Sequence, residues 1–469
     1  MHSITALLSL FIVLLASTPC WAANPLPELG HPSERVLSPE EEKLMGRAFV
    51  RALKAQDALL EDELISDYIQ TLGQRLASHS PEQNRDFNFF VINANDINAF
   101  AGPNATIGIN KGLILAARNE SQLASVMAHE IAHVTQRHLT RAFQAHQDTS
   151  LTTLATVLAA ILVSSSNPDA STALLMGGLA GGMQRQINFT RNNEHEADRV
   201  GIQILSNSNL SPNGMVEFFE ILQSSSFYGS ESDIEYLRTH PLNSTRIAEA
   251  ASRTPKVSWS TPNDSLMFRL SKQRLIVANS NNLEELKKNY PLKAGLPQSK
   301  VYARALIDMR QNKTHAAIKT LKTLTKQNDH LWYELSLAKS YLLAKRQTQS
   351  LTLYKELAEL YPSYLPVVHQ YALALIHFNK FKQSIDILEK ELVDNNNSTT
   401  YKLLALSYSK QKNLMKAYVT RAKQYANEGL YEFAIQQINS ALRLPENTPE
   451  STKRLQAKIE IYKKSYKTE

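Results

Sequence analysis

Between residues 37 and 79 apolar side chains recur at three- and four-residue steps: Leu44, Phe49, Leu53, Leu59, Leu60, Leu64, Ile65, Tyr68 and Leu72. That period predicts helix. Ser38-Pro39-Glu40-Glu41 is a good start for it, with proline in the first turn. The period then changes. FNFFVI at 87–92 is short, aromatic and branched, which predicts a strand. Gly102-Pro103-Asn104 signals a turn, and Thr106, Ile107 and Ile109 suit a second strand. A helix begins near Asn119, where Gln122 three residues on resembles a capping box. Leu123, Val126, Met127, Ile131 and Val134 form its apolar stripe, with the histidines of the segment falling away from it. Further helices are predicted over 190–205 and 212–223.

Two apolar blocks, 151–163 and 172–183, are each shorter than the ~20 residues that span a bilayer. They read as a buried helical hairpin, as a mobile lid that touches a membrane, or as two spanning helices. At the start of the chain an apolar run from Ile4 to Ala16 leads into small residues around Ala22. This predicts a signal peptide over 1–22 and export to the periplasm. Cys20 is the only cysteine and leaves with that segment, so no disulfide framework is possible.

From about 298 the pattern becomes one of paired helices with a repeat. Ala305, Ala338, Ala372 and Ala405 stand at steps of 33, 34 and 33, and Ala317, Ser350, Ser384 and Ala417 keep those steps in the partner helices. Small residues there let two helices pack closely, and the period is that of a tetratricopeptide (TPR) repeat. Four to five repeats are expected, ending in a Lys-rich helix near 450–466. Residues 254–297, with scattered Pro, Asn and Ser, read as a linker region with some helix. The expected division is therefore a signal peptide (1–22), a first domain (35–253), a linker region (254–297) and a repeat domain (298–469).

The net charge of +7 conceals an asymmetry. Residues 1–253 hold 17 Lys/Arg against 26 Asp/Glu, whereas 254–469 hold 34 against 18. The basic half suits an acidic protein, an anionic lipid surface or simply a solvated helical face. Export makes nucleic acid a poor partner.

The candidate chemistry lies in HEIAH, residues 129–133. On a helix, residues four apart share a face, so His129 and His133 can hold one zinc ion between them. Glu130 sits beside the metal, where a carboxylate can take a proton from water. A third ligand must come from elsewhere. In NNEHEADRVG, residues 192–201, Glu194, His195 and Glu196 compete. Ala197, Gly201, Ile204 and Leu205 should form the inner face of that helix, and Glu194 and Asp198 lie on or next to it. Glu194 is then the expected third ligand, and Asp198 the group that holds a ligand imidazole in place. His31, His79, His138, His146, His315, His330, His369 and His377 have no comparable neighbours and receive no role.

HEIAH followed by EHEAD, with NAFA at 98–101, resembles the zinc peptidases that include HtpX and the CAAX prenyl proteases. The resemblance covers about residues 35–250. It implies zinc held by His129, His133 and Glu194, one ion per chain, with Glu130 as the base. Where that family often has a Gly-Gly pair after NAFA, Pro103-Asn104-Ala105 stands here. The segment at 106–110 is nevertheless expected to offer a pairing edge to an extended substrate. In RTHPLNSTRI, residues 238–247, the resemblance singles out His240, Pro241 and Arg246. It gives His240 a fourth zinc position that holds the enzyme latent, or a role at the oxyanion, or none beyond the turn. Arg246 is expected to contact the substrate or the active site.

Signal peptide, peptidase and repeats together resemble the exported branch of that family that enhances β-barrel assembly. The fold class expected is mostly α: a zincin-type metallopeptidase domain, helices with a small β-sheet, followed by a TPR α-solenoid. The activity expected is a zinc metalloendopeptidase in quality control of outer-membrane proteins. Its expected partners are misfolded or assembling outer-membrane proteins and the barrel-assembly machinery, met through the repeats, with peripheral membrane contact through 151–183. The rival expectation is a periplasmic chaperone or assembly scaffold whose metal site is latent.

Overall fold

The computed structural model describes residues 37–83, 85–143, 191–227, 235–254, 265–292 and 295–468. The expected signal peptide and the apolar blocks at 151–163 and 172–183 lie outside the described residues. Among the described residues no helix is long and apolar enough to cross a membrane.

The helical period over 37–79 resolves into two helices, α1 (Pro39–Ala55) and α2 (Glu63–Ala77). Ser38 and Glu41 cap α1 reciprocally, and Asp62 caps α2 by accepting from the Ile65 amide. Between them Asp57 adopts a φ of 52°, which a short polar side chain tolerates. The Leu60 amide then donates to the Val91 carbonyl at 2.8 Å. The chain thus leaves the helix to run beside the sheet. The apolar period hides this break because Leu59 and Leu60 also pack against apolar clusters.

The sheet has three strands, β1 (Asn88–Ile92), β2 (Ala99–Gly102) and β3 (Thr106–Asn110), in the order β1-β3-β2. β3 pairs parallel with β1 and antiparallel with β2, and each of its residues is buried. The expectation that 106–110 offers a pairing edge is therefore corrected: β3 is central, and the edges are β1, partly covered by Leu59 and Leu60, and β2. Four residues rich in Ala and Gly carry too little apolar signal for β2 to stand out as a strand. Asn104 and Ala105 at φ 53° and 52°, with the Thr106 amide donating to Pro103, form the mirror-image turn that a hairpin requires.

Next come α3 (Lys111–Ala116), α4 (Glu120–Thr135) and α5 (His138–Phe143). Asn119 caps α4 by accepting from the Gln122 amide at 2.9 Å. The Gln122 side chain accepts from Arg118 rather than Asn119, so the expected box is displaced by one residue. Every residue of α4 is buried. It is enclosed by α2, β2, β3, α6 (Arg191–Asn207) and α7 (Asn213–Phe227). The short helices α8 (Glu235–Thr239) and α9 (Ser244–Arg253) follow.

The expected linker region contains α10 (Leu266–Asn279) and α11 (Leu283–Lys288). α10 buries Phe268, Leu270 and Leu275 and packs on α2, α3 and the first helix of the solenoid. Its basic residues masked this role. Arg274 donates from Nε and Nη2 to Asp62 Oδ2 and from Nη1 to the Tyr302 hydroxyl, and it lies over the Trp332 ring.

Eight helices then alternate between 13 and 14 residues: α12 (Gln298–Arg310), α13 (Thr314–Gln327), α14 (Leu331–Leu343), α15 (Gln347–Leu360), α16 (Leu365–His377), α17 (Phe381–Asp394), α18 (Ser398–Lys410) and α19 (Leu414–Asn427). α20 (Tyr431–Leu442) and α21 (Pro449–Thr468) end the chain. The turn within each pair carries a left-handed residue, Asn312, Lys345, Asn379 or Lys412, and these keep the 33, 34, 33 steps. The same turns are closed by amides of Lys313, Arg346, Lys380 and Asn413 reaching back five residues. This is a TPR α-solenoid. One apolar core runs from α2 into α16, so the first repeats share their interior with the first domain.

Candidate metal centre

α4 carries His129, Glu130 and His133, and α6 lies against it bearing Glu194 and Asp198. Gly201 permits the approach: a Cβ there would lie 3.1 Å from Met215 Cε and 3.2 Å from the His129 amide nitrogen. Gly201→Val is expected to force the two helices apart, costing about 1–3 kcal/mol. Thermal unfolding and metal analysis of the variant check this, with a lower midpoint and reduced metal content expected.

His129, His133, Glu194 and His240 are all buried and bring one donor atom each within 4.8 Å of the others. His129 Nε2 lies 2.9 Å from His133 Nε2, 3.3 Å from His240 Nδ1 and 3.5 Å from Glu194 Oε2. Glu194 Oε1 lies 3.4 Å from His133 Nε2 and 3.2 Å from His240 Nδ1. A tetrahedral ion with bonds of about 2.0–2.1 Å needs donors about 3.3 Å apart. Two imidazoles on one helix, a third on a turn and a carboxylate form a donor set that suits such an ion.

Charge makes the same case. Glu130, Glu194 and Asp198 are buried carboxylates, and Arg246 is the permanent cation that pairs with two of them. A divalent ion would balance this excess of negative charge. Burial raises the Glu194 carboxyl, but the facing His240 and His129 outweigh it and hold the group well below its usual value. Burial likewise lowers His129, yet Asp198 and Glu194 lift it to about 9. His133 is pushed well down by burial and by the charge on His129. Burial pushes the Glu130 carboxyl up, against the opposing pull of His240, His129 and the Ala101 amide.

The ligand candidates are braced from behind. His129 Nδ1 lies 2.9 Å from Asp198 Oδ1. Arg246 donates to both Asp198 oxygens at 2.8 Å and to the Pro241 carbonyl at 2.8 Å, and its Nη1 lies 2.9 Å from Glu194 Oε2. Arg246 is 2 % exposed. Its guanidinium is thus committed to the buried carboxylates of the centre. His240 stacks on Tyr236 with ring centroids 4.6 Å apart, and its Nε2 lies 3.5 Å from Glu130 Oε1.

Two histidines left without a role are buried and partnered. His138 Nδ1 lies 2.6 Å from His133 Nδ1, and its Nε2 lies 3.2 Å from Glu196 Oε2. Burial pushes this imidazole down to about 4. His369 on α16 bridges Glu63 at 2.7 Å and Thr400 at 2.8 Å, joining the solenoid to α2. His195, a competing ligand candidate, faces Glu249 at 3.1 Å and lies outside the donor cluster.

Residues 63–254 match peptidase family M48. Over 429 residues the chain is 35% identical to the beta-barrel assembly-enhancing protease of Escherichia coli (strain K12), covering 90% of this chain and 87% of that protein. It is 35% identical over 382 residues to the protein of the same name from Yersinia pestis, covering 73% of this chain and 78% of that one. The mitochondrial metalloendopeptidase OMA1 of Bos taurus is 27% identical over 210 residues, 41% of this chain and 39% of that one. A donor cluster suited to a metal ion, inside a region that matches M48 and a chain that matches the barrel-assembly-enhancing proteases nearly end to end, leads to one conclusion: this chain belongs to peptidase family M48 and is a metalloprotease.

Proposed function

We propose that this metalloprotease is a zinc endopeptidase of the periplasm that acts on outer-membrane β-barrel proteins during their assembly. The observation that carries the reading is the close clustering of the donors of His129, His133, Glu194 and His240 beside the buried carboxylate of Glu130. His129, His133 and Glu194 hold one ion, Asp198 orients His129, and Arg246 holds Asp198 and Glu194. Zinc bound there would lower the pKa of a water molecule towards about 7 and polarise the scissile carbonyl. Glu130 takes the proton of the attacking water and returns it to the leaving amine.

The substrate adds as a strand to the β2 edge. The Ala101 amide faces Glu130, and Ala101 and Gly102 share a small cavity lining with His133. The peptidase region takes 35–253 and the repeats 298–469, with α10 wedged between them. The repeats recruit the client. A groove of about 1630 Å³ lies between the solenoid and α2, and Leu306, Lys339, Leu373 and Leu406, at one repeat-equivalent position, line it. Export, and the choice of outer-membrane clients, rest on the apolar leader and on the name that the long matches carry.

The test is metal analysis with cleavage of unfolded casein. One zinc per chain is expected, with cleavage lost on chelation and restored by zinc. A reconstituted protein without zinc would sink the reading.

His240 is the latch in this reading. Its Nδ1 would take the fourth donor position beside a bound ion and exclude the attacking water from it. His240→Ala is expected to raise casein cleavage at least ~10-fold, with zinc still at one per chain. A fall in cleavage with zinc retained would assign His240 to the oxyanion instead. A chaperone or scaffold role, the rival reading, is favoured by the same closed fourth position, since a latched enzyme still offers its groove.

A further inference from the structure

We propose that His138, backed by Glu196, is a positioning residue for the metal ligand His133, and that this relay governs how long the ion is retained. The inference rests on the reading of His129, His133 and Glu194 as ligands.

The chain reaches this geometry by a local break. α4 ends at Thr135, and Arg137 takes a left-handed φ of 54°, with its amide closing onto the Val134 carbonyl at 2.9 Å. His138 then opens α5 and turns back beneath α4. Had the helix run on, residues five apart would lie about 140° around its axis and could not face each other. The left-handed residue costs backbone energy at a non-glycine position, and the contact it creates is a buried imidazole pair.

The donors and acceptors fit in one direction. His133 aims Nε2 at the donor cluster, so its proton sits on Nδ1. That N–H donates to His138 Nδ1 at 2.6 Å. His138 Nε2 therefore carries its own proton and donates to Glu196 Oε2 at 3.2 Å, where Arg141 also reaches at 3.3 Å. Each proton in the chain fixes the tautomer of the ring before it. His138 is 0 % exposed, so water does not substitute for it. The two α4 ligands are thus held differently: His129 leans on a buried carboxylate–arginine pair, and His133 on a second imidazole whose carboxylate lies near the surface, 33 % exposed.

The test uses the full chain loaded with zinc and follows transfer of the ion to a chromogenic chelator. His138→Phe keeps the volume and removes the acceptor. His138→Asn restores an oxygen near the place of Nδ1. Zinc release is expected to be about 10–100-fold faster from His138→Phe. It should return to within a few-fold of wild type in His138→Asn, and Glu196→Gln should show a smaller acceleration. The metal-stripped forms should unfold at one temperature. Release from His138→Phe at the wild-type rate overturns the proposal. So does equal acceleration in His138→Asn, which would reduce His138 to packing. A wild-type chain that takes up no zinc would overturn the metal reading itself.

Discussion

Glu130→Gln is expected to keep one zinc per chain and to lose casein cleavage by about a thousandfold, within the range that a general base contributes. The substitution preserves shape and removes the ability to accept a proton. Glu130 contributes none of the four clustered donor atoms, so the ion should stay. It is buried beside the donor cluster, with His240 Nε2 3.5 Å from its Oε1, which places it against the ion's site rather than in it. The measurement pairs zinc analysis with cleavage rate. Cleavage within tenfold of wild type, with zinc bound, would remove Glu130 from the chemistry.

Arg246→Met should be the most destabilising single change at the centre. Arg246 holds both oxygens of Asp198, approaches Glu194 Oε2 at 2.9 Å and lies over the Phe219 ring. Removing it leaves two buried carboxylates without their permanent cation, a loss of about 3–5 kcal/mol. For a peptidase region that unfolds as one unit, this lowers the midpoint by about 6–20 °C. Arg246→Lys should recover little of it, because one ammonium cannot replace a planar fork that spans Asp198, Glu194 and the Pro241 carbonyl. Combining Arg246→Met with Asp198→Asn should recover part, since the stranded charge is then removed. An unchanged midpoint for Arg246→Met, read by differential scanning calorimetry on the metal-stripped protein, would refute this account.

The parts of the molecule that could be read along the chain are those whose determinants are local. His129, Glu130 and His133 share a helix at a spacing of four, and Glu194 and Asp198 share another, so a helical period was enough to group each set. The repeats were legible for the same reason, since each helix pair repeats its own small residues and turn. Caps at Ser38 and Asn119 also lie within three residues of what they satisfy.

What escaped the sequence depends on breaks and on through-space partners. Asp57 ends a helix that apolar periodicity continues across. α10 reads as linker because its arginine and lysine find buried partners that no local pattern shows. β3 reads as an edge because pairing order is invisible along the chain, and only the β1-β3-β2 arrangement makes it central. His138 lacked a role because helical geometry separates it from His133, and the left-handed Arg137 is what reunites them. The amino-acid sequence by itself determined which groups could do metal chemistry, for ligand type and helical spacing are properties of a short stretch. How those ligands are braced was decided by tertiary structure, because the contacts of Arg246 with Asp198 and Glu194, and of His138 with His133 and Glu196, form only when separate helices close around α4 and exclude water.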